Sequence, residues 1–260
     1  MWRFLTTFWF RYFSTRHLCI FCGYTNSPLT KEHVIPQWVS KLRGKKKHQI
    51  IFRAETETPT PRRFYTQIGI DLQVKIACAD CNNKLLSTFE SKQARPILSK
   101  LLPGNACRAK TTLGFREQVI LAGWMFRIVA VLEFVFPNRR IRFFSQSQRE
   151  IFSKTLIPPK GVWVWMAHYT GPQGYSFGLS DENAFPSLPF IGKGLHATIS
   201  VNHVALQLVV LGPLQIPTVP SAWSDAVIQL FPYTGRDVIW PPPVNLDDDS
   251  FWKFQNRWSR

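Results

Sequence analysis

The pattern of apolar and polar residues divides the chain into a mixed first part, one long apolar segment and a β-rich second part. The most apolar stretch is residues 117–136, EQVILAGWMFRIVAVLEFVF. A segment of this length can span a bilayer, but Arg127 and Glu133 would each cost about 3 kcal/mol near the membrane centre. A helix that is apolar on nearly every side is also typical of a buried central helix. We favour the buried helix, and a membrane-anchored protein is the alternative.

Shorter elements are predicted before this helix. They are a short strand over 27–34, a short helix over 36–43, strand structure over 62–77 and a helix over 82–102. Pro36 suits the first position of the short helix. Alternating polar and β-branched residues favour the strand. Pro96 is expected to kink or break the last helix, which Pro103 and Gly104 end.

Beyond residue 141 the pattern predicts strands. Residues 161–170 form one strand, and residues 197–212 form two strands with Asn202 and His203 near the turn between them. Proline-rich stretches separate these elements. This part carries no chemical motif.

These patterns predict four regions. They are an N-terminal basic and aromatic arm over 1–16, a compact module over 17–104, a connecting helical region over 105–140 and a mixed α+β domain over 141–260. The arm could instead be an additional strand or helix that packs on the core.

Composition agrees with a folded protein and adds a charge asymmetry. The chain is 45% hydrophobic with 21 Phe and 10 Trp, which argues against wholesale disorder. Its net charge is +16, and residues 1–116 hold 20 Lys/Arg and 6 Asp/Glu, a net charge of +14. A basic first part predicts contact with a polyanion. A basic surface that only keeps the protein soluble is the alternative.

Four of the five cysteines form two Cys-x-x-Cys pairs, Cys19/Cys22 and Cys78/Cys81, and Cys107 stands alone. An odd count with such pairs favours metal binding in a reducing compartment over a disulfide framework, which predicts a cytoplasmic protein. Four thiolates complete the shell of one Zn²⁺, so this zinc should be structural. Two unrelated pairs, or a redox pair, are the alternatives.

A second chemical pattern lies around the cysteines. Glu32 and His33 stand between the two pairs, and Asn82 directly follows Cys81. A zinc that holds both pairs would bring Asn82 toward the Glu32–His33 segment. Carboxylate and amide oxygens suit Mg²⁺, and a neutral imidazole can take a proton from water. This set suffices for metal-assisted phosphodiester hydrolysis. An exposed Glu–His pair and a helix N-cap at Asn82 are the alternatives.

The two segments CIFCGYTNSPLTKEHVIPQWV and CADCNNKLLSTFE resemble an HNH endonuclease of the ββα-metal superfamily, in the subtype with a four-cysteine zinc. The order of the motif residues is similar to that of phage junction-resolving endonucleases. The resemblance covers residues 19 to about 92. It implies an α+β fold, in which a zinc-stabilised ββα-metal module precedes a buried helix and a mixed, β-rich C-terminal domain.

The resemblance also implies roles for individual residues. Cys19, Cys22, Cys78 and Cys81 would bind the structural Zn²⁺. His33 would be the general base, and Glu32 and Asn82 would hold one catalytic Mg²⁺ or Mn²⁺. The sequence departs from the usual pattern because Glu32 stands where Asp is usual. It also has no third histidine on the following helix, where Glu90 is the nearest candidate ligand, or otherwise a helix-surface carboxylate.

The predicted function is therefore a metal-dependent DNA endonuclease, and the alternative is a non-catalytic zinc module that binds nucleic acid. Basic residues in or beside the loop between the cysteine pairs, and one on the following helix, are predicted to contact phosphates. They are Lys45, Lys46, Lys47, Arg62, Arg63 and Lys84. DNA is the expected partner, no membrane is expected, and the sequence leaves open whether the protein is a homodimer.

Overall fold

Helices and β-sheets are mixed along the chain. A computed structural model describes residues 18–24, 27–42, 48–53, 64–67, 72–102, 110–135, 143–171, 175–180, 195–210 and 223–256. The predicted arm over 1–16 lies outside these residues.

The first unit is a two-stranded antiparallel sheet, the β1–β4 sheet, with a helix after each strand. Strand β1 (Leu29–His33) pairs antiparallel with β4 (Gln73–Cys78), and the register runs from Leu29 opposite Cys78 to His33 opposite Gln73. The register shifts between Thr30 and Lys31. A short helix, α1 (Gln37–Leu42), follows β1.

A longer helical segment, α2, leaves the end of β4. Two of its pieces are π-helical, Asp80–Leu86 and Glu90–Ala94, and two are α-helical, Ser87–Phe89 and Arg95–Leu101. The backbone keeps right-handed helical angles at each junction, so the segment is continuous. It corresponds to the helix predicted over 82–102, and no break occurs at Pro96, where the last α-helical piece has only just begun.

A seven-stranded sheet forms the largest element of the described structure. Its strand order is β10-β6-β9-β8-β7-β2-β3. The strands are β2 (His48–Arg53), β3 (Phe64–Gln67), β6 (Val162–His168), β7 (Tyr175–Ser180), β8 (Leu195–Val201), β9 (Val204–Val210) and β10 (Val227–Phe231). Strand β2 joins β7 in parallel, and the other neighbours are antiparallel. The segment between the cysteine pairs therefore contributes two strands to the C-terminal sheet.

Helix α3 (Phe115–Leu132) is the buried helix that the apolar stretch predicts. All but one of its residues from Gln118 to Leu132 are buried, and it packs against β9, β10 and α2. Beside it, β5 (Thr111–Leu113) pairs with β11 (Val238–Trp240). None of the helices within the described residues has both the length and the apolar content that a membrane span needs.

Both faces of the large sheet are covered near β6 and β9, because alternate side chains of a strand point to opposite faces. Val162, Val164 and Met166 belong to the main core, which also contains Cys19 and Cys78. Trp165 lies in a second core with residues of α5 (Asp248–Asn256). The main core is thus continuous from the cysteine-containing segment to the C-terminal sheet, although the proposed domain limits at 104 and 140 remain a prediction.

Two of the predicted C-terminal strands are confirmed closely. Strands β8 and β9 flank Asn202 and His203, and Asn202 has the positive φ of 50° that a tight turn requires. Helix α4 (Gln146–Thr155), which the apolar pattern does not reveal, begins with a capping box in which Ser145 and Gln148 satisfy each other's backbone N–H groups.

Candidate functional site

The four paired cysteines come together at one end of the β1–β4 sheet. The sulfur atoms of Cys19, Cys22, Cys78 and Cys81 all lie within 4.8 Å of one another. The four cysteines form no disulfide. The Cys22 and Cys78 sulfurs are 3.7 Å apart, which agrees with the separation of about 3.8 Å that tetrahedral Zn–S bonds of about 2.3 Å produce. The donor set and its spacing therefore fit one Zn²⁺.

Local backbone geometry shapes this cluster. The segment that carries Cys19 and Cys22 turns at Gly23, whose φ is +72° and whose N–H donates to the Cys19 carbonyl. The turn is tied to β4 because the Ile20 N–H donates to the Ile76 carbonyl over 2.9 Å. Cys78 ends β4, and the Cys81 N–H points at its sulfur over 3.5 Å.

The electrostatics of the cluster also favour a cation. The hydrogen bond from the Cys81 thiol lowers the pKa of Cys19 to about 4. Burial raises the pKa of Cys22 to about 11, and the neighbouring Cys19 raises the pKa of Cys81. Ionisation of one cysteine thus makes ionisation of its neighbours less favourable. A bound Zn²⁺ supplies the positive charge that allows all four thiolates to coexist.

Asn82 fastens the first turn of α2 to β1. Its side-chain amide nitrogen donates to the Thr30 hydroxyl over 2.9 Å and to the Lys31 carbonyl over 3.0 Å. Because a carbonyl oxygen only accepts, the nitrogen must face β1, and the amide oxygen points away from these two groups. Asn82 is not an N-cap, since the helix begins before it and Ala79 precedes the first turn.

His33 is held by two glutamines at the end of the β1–β4 sheet farther from the cysteines. Its Nε2 lies 2.8 Å from the amide nitrogen of Gln73, the residue opposite it on β4. The amide nitrogen of Gln37, in the first turn of α1, lies 3.1 Å from the same ring atom. The ring is only partly buried, so the side chain borders solvent.

Glu32 lies on the opposite side of β1 from its neighbour, because successive side chains of a strand alternate. It is 2% exposed, and its carboxylate forms an ion pair with the buried Arg127 of α3. The interpretation of Glu32–His33 as an exposed pair is therefore wrong. Arg127 thus engages one oxygen of this carboxylate, and the role of Glu32 as an ion ligand stays a prediction.

Glu90 is also buried, at 8% exposure, and is not the helix-surface carboxylate that one interpretation expected. Its Oε1 lies 3.2 Å from Nε of Arg127, in an orientation that does not form a hydrogen bond. Burial raises the pKa of Glu90 to about 8. One guanidinium therefore pairs with the Glu32 carboxylate, while burial keeps the proton on Glu90 near neutral pH.

Of the predicted phosphate-binding residues, the structure describes Lys84 alone. Lys84 lies exposed on α2 and pairs with Asp80 over 2.7 Å, and this hydrogen bond raises the pKa of Lys84. The remaining members of the set lie outside the described residues. They are Lys45, Lys46, Lys47, Arg62 and Arg63.

Three residues that contact the site were not identified from the sequence: Gln37, Gln73 and Arg127. The sequence does contain a signal for Arg127, because a charged residue in a helix apolar on all sides needs a buried partner of opposite charge. No such signal marks the two glutamines, which depend on the pairing of β1 with β4.

No family model, curated protein or solved structure matches this chain. The fold and the site define a mixed helix-and-sheet protein with a four-cysteine site that could bind a metal such as zinc. Its activity has to be argued from the chemistry of the residues around that site.

Zinc removal should destabilise the whole core. We expect one Zn²⁺ per chain by elemental analysis, and Cys78→Ser should lose the metal and lower the unfolding temperature, because zinc binding contributes to folding. Cys19 and Phe21 are fully buried in the main core, so the loss should reach beyond the cysteine segment. Cys107→Ser is the control and should keep the metal. Folded protein without zinc would contradict this prediction.

Glu32→Gln and Glu90→Gln should have opposite effects on stability. Glu32→Gln leaves Arg127 without its anionic partner and should lower the free energy of unfolding by about 3–5 kcal/mol.

The effect of Glu90 depends on pH. Glu90 ionises near pH 4.5 in the unfolded protein but near pH 8 in the folded protein. Unfolding therefore releases a proton in this window, and stability falls as pH rises.

Glu90→Gln removes that loss. Its stability relative to wild type should therefore grow between pH 5 and 8, by up to about 1.4 kcal/mol per pH unit. Denaturant unfolding of both zinc-loaded proteins across this range provides the measurement. A difference that is constant or shrinks with pH would show that Glu90 is ionised in the folded protein.

Proposed function

We propose that the protein is an HNH-type endonuclease that hydrolyses phosphodiester bonds in DNA, with His33 as the general base. The observation that carries the proposal is the arrangement of β1, β4 and α2 around the cysteine cluster. His33 ends the first strand, and Asn82 binds that strand from the first turn of the helix. This is the ββα order that the sequence resemblance implies.

The proposed chemistry begins at the His33 ring. With the two amide nitrogens facing Nε2, that atom accepts hydrogen bonds and the ring proton lies on Nδ1. Turning both amides places their oxygens against an Nε2–H group, and in that tautomer Nδ1 carries the lone pair that accepts a proton. Gln37 and Gln73 are thus placed to select the tautomer that acts as the base.

In the proposed reaction His33 takes a proton from water as the water oxygen bonds to phosphorus. The bond from phosphorus to the 3′ oxygen breaks, and that oxygen takes a proton from solvent water, which gives a 5′-phosphate and a 3′-hydroxyl. A catalytic Mg²⁺ or Mn²⁺, when bound, would stabilise the negative charge on the phosphate. The amide oxygen of Asn82 is the candidate ligand of the chain, because Glu32 is engaged by Arg127.

Charge supports DNA as the substrate. The net charge of +14 over residues 1–116 surrounds this site in sequence. Contacts of lysine and arginine with phosphates give affinity without sequence preference. Lys84, two residues after Asn82, is exposed, and the basic loop between the cysteine pairs is the other proposed contact.

A non-catalytic zinc module that binds nucleic acid is the second candidate. Two observations favour it: the carboxylate of Glu32 is paired with Arg127, and Nε2 of His33 is already engaged by two amides. Both candidates require the same zinc and the same basic surface, so only cleavage separates them.

His33→Ala should separate the two candidates. Purified protein is incubated with plasmid, linear, branched and single-stranded DNA, with Mg²⁺ or Mn²⁺ or with a chelator. We expect His33→Ala to slow cleavage about 10²–10⁴-fold, because loss of a general base typically has this effect. Zinc content, folding and DNA affinity should be retained.

His203→Ala is the matched control, since His203 lies in the turn between β8 and β9 and its ring contacts the Tyr169 carbonyl. It should cut at the wild-type rate. If the wild-type protein binds DNA but cuts under no metal tested, or if His33→Ala cuts as fast as wild type, the binding module replaces the nuclease.

Neutralising Lys45, Lys46 and Lys47 together should weaken DNA binding by a similar factor for all sequences. The slope of log affinity against log salt should become shallower, because each phosphate contact contributes to that slope. Fluorescence anisotropy at several salt concentrations measures both effects. Neutralising Lys154, Lys160 and Lys253 in the C-terminal part is the control, and an unchanged slope in the first variant would place the DNA-binding surface elsewhere.

A further inference from the structure

The arginine in the middle of the apolar helix α3 contacts the residues on both sides of His33. One terminal nitrogen of Arg127 pairs with the carboxylate of Glu32. The other donates to the backbone carbonyl of Val34 over 2.6 Å. The guanidinium therefore contacts β1 and the residue after it, immediately before and after the proposed base.

The same side chain reaches the helix that carries Asn82. Nε of Arg127 lies 3.2 Å from Glu90, which is eight residues after Asn82 on α2. Because α2 is continuous between them, Arg127 lies beside both parts of the site, the strand with His33 and the helix with Asn82.

The contact between Arg127 and Glu32 is shielded from water. Arg127 is 1% exposed, and Glu32 is 2% exposed. A buried guanidinium must keep its partners, since water cannot replace them. Its planar fork fixes the directions of two bonds at once, which the single ammonium of lysine cannot do. A displacement of β1 would break the ion pair and the carbonyl contact together.

We infer that Arg127 is a positioning residue that fixes the ring of His33 by holding Glu32 and the Val34 carbonyl. On this view Glu32 acts through the arginine and not as a ligand of the catalytic ion. The consequence for cleavage rests on the proposed nuclease function, whereas the consequence for the His33 ring does not.

The test uses Arg127→Lys in the full-length, zinc-loaded protein. This change keeps the positive charge but removes the fork. Histidine ring ¹⁵N signals, assigned with His33→Ala, report which ring nitrogen carries the proton. We expect one tautomer in the wild-type protein and a mixture in Arg127→Lys, because the ring is no longer held in register with Gln73 and Gln37.

Arg149→Lys is the matched control. Arg149 is also buried, lies 3.6 Å from Glu133 and donates to backbone carbonyls of Ile20 and Phe144, but contacts neither residue beside His33. It should lower the unfolding temperature and leave the His33 ring signals unchanged. If Arg127→Lys is folded, binds zinc and keeps the wild-type His33 signals, or if both variants change those signals alike, the inference is overturned.

Cleavage provides the second readout. Arg127→Lys should lower kcat about 10- to 100-fold, in the range of misplacing a reacting group by about 1 Å, while the Kd for DNA stays within about twofold. Equal loss of kcat and DNA affinity would indicate general unfolding and overturn the inference. If the wild-type protein never cuts, the proposed nuclease fails, and the ring signals alone decide the role of Arg127.

A second variant covers the case in which Arg127→Lys does not fold. Arg127→Met combined with Glu32→Leu removes both charges, and replacing a buried ion pair by apolar side chains is often tolerated. Glu90 is left as a protonated carboxyl. We expect this protein to bind zinc and to show the same mixture of His33 tautomers. A single wild-type tautomer in the folded double variant would overturn the inference.

Discussion

The closure of the cysteine cluster is the constraint on which the arrangement of the first half depends. It brings together Cys22 and Cys78, which are 56 positions apart, and the register of the β1–β4 sheet starts at the pair Leu29–Cys78. From that pair, regular pairing would put Val74 opposite His33, and the register shift between Thr30 and Lys31 brings Gln73 there instead. The intervening segment supplies strands β2 and β3 to the large sheet. A metal bound by the four cysteines would therefore constrain both the candidate site and the attachment of the C-terminal sheet.

Two buried arginine–glutamate pairs reinforce this arrangement from the core. Arg127 holds β1 through Glu32, and Arg149 holds the cysteine segment through the Ile20 carbonyl while it pairs with Glu133. Such pairs contribute little net stability, because desolvation offsets much of the attraction. They penalise alternative packing, however, since any shift leaves a buried charge unpaired. Apolar contacts in the core have no preferred direction. We therefore interpret the two ion pairs as the contacts that specify where β1 and the cysteine segment lie on that core.

Local signals in the sequence predict much of this structure. The helix over 115–132, the helical segment beginning near residue 80 and the strands around Asn202 follow from periodicity and turn chemistry. The spacing of the cysteines predicts their clustering. The sequence does not predict that β2 joins β7 in parallel, because no local pattern encodes a pairing between residues so far apart. The partner of Glu32 is hidden for the same reason, since Arg127 is 95 positions away in sequence.

The adjacent Glu32 and His33 illustrate how strand geometry divides the roles of neighbouring residues. The register shift in β1 falls between Thr30 and Lys31, before this pair. Regular alternation then resumes and places one side chain in the core and the next at the solvent border. Glutamate in place of aspartate is consistent with this division, because its extra C–C bond of about 1.5 Å extends the carboxylate toward a guanidinium on α3. A metal-binding role would favour a carboxylate held near the histidine; a role in the core favours the longer side chain. The contact with the buried Arg127 therefore gives a structural reason for a glutamate at position 32.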